Sequence, residues 1–163
     1  MPFSRTFVAG AALAAALSLA CAHAAQAPSC TSIGRAVSAA IGPVTSVTDN
    51  TARIHALKAT TPYAVLRACD VHVPGHKLPL QVTIDAPVPR LYLQSMAKFA
   101  ASTGRHAQKL DGAGYGDLAY LIPQMGGGNA VDALVGDEAL SIGYWATAAE
   151  TRNMAQHIVA LMK

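Results

Sequence analysis

Between residues 30 and 41 the apolar side chains Cys30, Ile33, Val37 and Ile41 recur every three to four positions, the repeat that gathers them on one face of a helix. Gly42 and Pro43 follow and end it, since glycine accepts the conformation past a helix terminus and proline cannot continue one. From there the repeat shortens to two. Residues 44–48 and 52–59 flank Asp49-Asn50-Thr51 and read as two strands joined by a turn. Residues 63–73 predict a longer strand, with Val65, Cys69, Val71 and Val73 on one face and Asp70 and His72 on the other. Pro74-Gly75 reverses the chain. Leu78, Leu80, Val82 and Ile84 then alternate with Pro79, Gln81, Thr83 and Asp85, the pattern of a half-buried strand.

Pro89 opens the next element, a position where its missing N–H costs a helix nothing. Tyr92, Met96, Phe99, Ala100 and Thr103 follow at helical spacing, and Gly104 closes the run. A glycine-rich passage, residues 111–116, leads into alternating Leu118, Tyr120 and Ile122. Residues 131–135 and 139–145 form a hairpin around Gly136-Asp137-Glu138. Thr147 and Glu150 have the spacing of a capping box, with Met154, Ile158, Leu161 and Met162 on one face of the helix behind it. The predicted order is α-ββββ-α-βββ-α. Hairpin-linked strands with few crossovers imply an α+β class, an antiparallel sheet with helices packed on one face. Residues 30–163 form one domain, with residues 25–29 a loose tether.

The start of the chain changes the picture of its composition. Arg5 is the only charge before an apolar run over residues 8–20, and Ala22-His23-Ala24 follows. A positive start, a short apolar run and an A-x-A exit describe a secretory signal peptide, here residues 1–24. The run is too short to span a bilayer, which takes about 20 residues, so no transmembrane helix is expected. Cys21 offers an alternative end to the signal, as a lipidated first residue of an envelope-anchored protein. Removing residues 1–24 from the 163 leaves 139, and loss of Arg5 takes the net charge from +3 to +2. No dense basic run remains, so nucleic acid is not an expected partner. Cys30 and Cys69 remain, and in an oxidising compartment their pairing is the default. The loop they close is worth about 4 kcal/mol in a chain-entropy account.

Candidate chemistry is sparse. Asp70 and His72 share a strand face, and His76 lies just past the turn, three N/O groups in reach of a transition metal such as zinc. Asp111-Gly-Ala-Gly-Tyr-Gly-Asp117 has the glycines of a phosphate loop but no G-K-[ST] ending, and a strand rather than a helix follows it. No G-x-S-x-G elbow frames a serine nucleophile, and no carboxylate pair is evident. No catalytic residue and no cofactor are expected. Gly126, Gly127, Gly128 and Asn129 form a loop where a partner's backbone could approach, and Tyr144 with Trp145 could line a groove at the end of the sheet.

The layout resembles a domain-of-unknown-function family of small exported bacterial proteins, many of them lipoproteins. The resemblance spans about residues 29–162 and is carried by a Cys-led helix, a second Cys on a strand and Gly114-Tyr115-Gly116-Asp117-Leu118-Ala119, a Gly-x-Gly-Asp-x-Ala stretch. It implies fold and compartment, and no activity. Together these readings predict a periplasmic or secreted, non-enzymatic module that binds an envelope protein or a small ligand. The alternatives are a metal-assisted hydrolase built on Asp70, His72 and His76, and an inhibitor of an envelope enzyme acting through residues 126–129.

Overall fold

The structure, a computed structural model, describes residues 27–58, 62–143 and 145–163. The candidate signal peptide with Cys21, and Tyr144, lie outside the described residues. Helix α1 (Cys30–Ile41) begins where Ser29 Oγ accepts the Ser32 N–H at 3.1 Å, and ends at Gly42, whose φ is +107°. Residues 27–29 are therefore part of the domain rather than a loose tether. Ala27 is buried in the main core, and Ser29 caps the helix.

Strand β1 (Ser46–Asp49) follows as expected, but the next segment is α2 (Thr51–Leu57), a helix and not the second strand of a hairpin. The Asp49 carboxylate accepts both the Thr51 N–H at 2.9 Å and the Thr51 hydroxyl at 2.5 Å. Those bonds hold the chain in a helical start instead of letting it turn back as a ladder. β2 (Ala64–His72) and β3 (Leu80–Ala86) form the predicted hairpin. A bulge between Val65 and Arg67 shifts the alternation, so that Leu66, not Val65, joins Cys69 and Val71 in the main core. After α3 (Arg90–Ser102) comes a short strand with no counterpart in the sequence reading, β4 (Gln108–Leu110). Then β5 (Leu118–Pro123), β6 (Asn129–Val135) and β7 (Glu138–Gly143) run as a meander, and α4 (Ala148–Leu161) closes the chain with both capping-box bonds made.

All seven strands pair antiparallel, in the order β1-β2-β3-β7-β6-β5-β4. The α+β class and the antiparallel sheet are those expected. The Sγ atoms of Cys30 and Cys69 are 2.08 Å apart, so a disulfide ties α1 to β2. One face of the sheet presents Val71, Val82, Ile84, Val131, Ala133, Leu140 and Ile142 to α1 and α4, which pack together over it through Ile33, Val37, Met154 and Ile158. The chain leaves β3 in mid-sheet and must reach β4 at the far edge. With one face already filled, α3 makes that crossing over the other, against β5 and β6, so the helices cover both faces and not the single face expected. There it seats Leu93 on a small cluster of Val88, Leu118 and Leu134. Among the described residues no helix is long and apolar enough to cross a membrane.

Candidate functional site: a polar cleft beneath α3

The face under α3 follows from the alternation of four neighbouring strands, β3, β7, β6 and β5. Thr83 pairs with Ser141, Ser141 with Asp132 and Asp132 with Tyr120, so a polar row crosses the sheet from β3 to β5. One rung along, Asp85 stands opposite Ala139; on the other side Gln81 stands opposite Gly143. Small residues at Ala130, Ala139 and Gly143 leave room beneath the helix, which buries only Leu93 and Ala100 of its own. The outcome is a cleft of about 320 Å³, within the range of small-ligand sites.

Tyr92, Met96 and Phe99 belong to the helical face read from the sequence, yet they stand 41%, 37% and 59% exposed. They wall the cleft instead of filling a core. Tyr92 meets Tyr63 edge to face, with ring centroids 5.0 Å apart. On the floor, the Ser141 hydroxyl donates to Asp132 Oδ1 at 2.7 Å, and Lys58 Nζ donates to Asp85 Oδ2 at 2.7 Å. The other oxygen, Asp85 Oδ1, is buried without a hydrogen-bond partner among the described residues. Burial pushes the Asp132 carboxyl above the ordinary carboxylate range, against the pull of the Ser141 hydroxyl and the Lys58 charge. Burial also raises the Tyr92 hydroxyl, with Asp132 adding to the effect. The floor is thus rich in acceptors, and the helix wall is apolar apart from Tyr92 and Arg105.

None of these residues was singled out in the sequence. The available signal was a charged residue, Asp132, in the middle of an otherwise apolar strand, opposite a serine on the next strand of the hairpin. Asp70 and His72 do share a face, but Asp70 accepts from Asn50 Nδ2 and pairs with Arg53 at 3.7 Å. His76 does not turn back towards them. Its ring stacks on Trp145, with centroids 3.4 Å apart and planes at 9°. Among the described residues no group of three His, Cys, Asp or Glu side chains could hold a metal ion, so the candidate zinc set does not converge. Trp145 also donates its Nε1–H to Leu78 O at 2.8 Å, which fixes it as a strut at the β7 end and not as the wall of a groove. Gly126 to Gly128 form the β5–β6 turn, closed by Gln124 N–H to Gly128 O, and Asn129 Nδ2 donates to Ala146 O.

The Gly-x-Gly-Asp stretch has a structural task. Gly116 has φ +81°, and a Cβ there would overlap Leu134 O. The next residue, Asp117, donates its N–H to Leu134 O at 2.7 Å and accepts the Gly136 N–H on Oδ2 at 2.8 Å. Its carbonyl accepts from Arg90 Nη2 at 2.8 Å. The loop therefore fastens the β6–β7 hairpin to the start of α3. Comparisons with protein-family models, with curated proteins and with solved structures found no match.

Proposed function

We propose that the protein is an exported binding module whose ligand, a small organic molecule, occupies the cleft between α3 and the sheet. The observation that carries this reading is the cleft itself, a space of about 320 Å³ with a polar floor and an exposed aromatic and methionine wall. Such a combination fixes a ligand's orientation through a few polar groups and holds its body through apolar contact. The charged groups on the floor are arranged as a hydrogen-bonded row and an ion pair, not as a nucleophile with an adjacent base, so the reading is non-enzymatic. Export rests on residues 1–24 and is supported by the Cys30–Cys69 bridge.

The test is a cleft-filling substitution. Gly143 lies on the floor with open space where a side chain would project, so Gly143→Leu fills the cleft without strain. Small molecules from a cell-envelope extract retained by the wild type, read by mass spectrometry, are expected to be absent from Gly143→Leu. Equal retention by both, or hydrolytic turnover of the bound compound, overturns the reading. Mass analysis of protein recovered from outside the cytoplasm is expected to show Ala25 as the first residue.

A further inference from the structure

We infer that the ligand of this cleft carries a protonated amine on a compact apolar body, the ammonium resting on the Asp132 carboxyl and the body lying against Met96, Phe99 and Ile122. This inference rests on the cleft being a binding site and adds the chemistry of what it binds.

Two observations point to a donor-bearing cationic head. Ser141 spends its hydroxyl proton on Asp132, so what the row offers a ligand at that point is an acceptor. Asp85, on the adjoining rung, adds a second carboxyl, with Lys58 on its Oδ2 and no hydrogen-bond partner for its Oδ1 among the described residues. An anionic head placed over this floor would face both carboxyls. The helix wall decides the rest of the molecule. A polyol needs hydrogen-bonding partners on every side, whereas Leu93, Met96 and Phe99 offer none. An ammonium on an alkyl or aryl body matches both surfaces, and the exposed rings of Tyr92 and Phe99 add attraction for a cation.

Among the described residues, the charged groups lining the cleft with Asp132 are Lys58 after α2, Asp85 on β3 and Arg105 after α3, with the Tyr92 and Tyr120 hydroxyls and Ser141 on the same face. Lys58 pairs with Asp85, and Arg105 Nε donates to Thr103 at the far end of the helix. Burial raises the Asp132 carboxyl, and an ammonium resting on it draws it back down.

The experiment titrates the purified protein with three matched probes, phenethylamine, 2-phenylethanol and 3-phenylpropanoate, and follows backbone amides of the cleft by NMR. Phenethylamine is expected to shift amides around Asp132, Ser141 and Tyr92 and to bind at least about tenfold more tightly than the alcohol, the scale of one charge-assisted hydrogen bond. Asp132→Asn, checked for folding by circular dichroism, is expected to remove that preference. The Asp132 carboxyl, followed by NMR, is expected to titrate at lower pH with phenethylamine bound than without it. An alcohol or carboxylate that binds as well as the amine overturns the inference and leaves the cleft reading standing. If no probe shifts the cleft amides, both fall.

Discussion

Asp132 has Ala130, Val131, Ala133 and Leu134 as its strand neighbours, all of them buried. Burial raises its carboxyl, so the folded chain keeps that proton to higher pH than the unfolded chain, whose aspartates titrate near about 3.9. The stability this adds is complete below the unfolded value and is lost as pH rises through the folded one. Asp49 and Glu150 act in the opposite sense. Thr51 lowers the first and Thr147 the second, so their contributions fade as pH falls. Asp132→Asn isolates one slope from the other: urea midpoints between pH 4 and 8 are expected to favour the variant increasingly over the wild type as pH rises. Gly116 is the residue with least freedom. Gly116→Ala forces a side chain onto Leu134 O at positive φ and is expected to cost about 2 kcal/mol or more. Gly126→Ala, with open space and no such backbone angle, should stay within about 0.5 kcal/mol. Thermal denaturation of the two variants checks both.

Among the elements, those with a clean repeat were legible and those without were not. The alternation at Leu80, Val82 and Ile84 and the spacing of Met154 and Ile158 correspond to side chains with no exposed surface. By contrast, α2 buries none of its residues, so it carries no apolar stripe to read, and its Asp-Asn-Thr start resembles a turn. Only the tertiary setting reveals it, because Thr51 Oγ1 also accepts the Ala68 N–H from β2 at 3.0 Å. Asp49→Ala removes the acceptor for Thr51 and the ion pair to Arg67 at 3.0 Å, and is expected to cost about 1–2 kcal/mol. The companion loss of α2 helicity should appear in amide exchange at Ile54 and Lys58. β4 escaped because three residues with only Leu110 buried present no alternation. The cleft was illegible for a related reason. Its floor joins β3 to the β5–β6–β7 meander only through the β3–β7 pairing, and nothing in the order of the chain announces that contact.

At the scale of the whole molecule, a disulfide cross-links the helix layer to the sheet, the one such bridge among the described residues. The disulfide spans a separation of 39 residues, and its removal by Cys30→Ser with Cys69→Ser is expected to lower stability by about 4 kcal/mol. Against total stabilities of about 5–15 kcal/mol, that is a large share. Chemical denaturation under oxidising and reducing conditions measures it without mutation. Both cysteines were visible in the sequence, where removal of the expected signal peptide with Cys21 leaves them as a pair. The crossing of α3 to the second face was not, since it depends on which face α1 and α4 had already taken.

That crossing helix is fastened unevenly. At its beginning Val88 donates to Asp137 O, and Arg90 to Asp117 O, both at 2.8 Å. At its end, the backbone N–H groups of Thr103, Gly104 and Arg105 turn back to carbonyls of the helix itself. The entry of α3 is thus tied to the same Gly116-Asp117 loop that holds the β6–β7 hairpin. The loop whose glycines look made for phosphate instead sets the wall of the cleft over its floor.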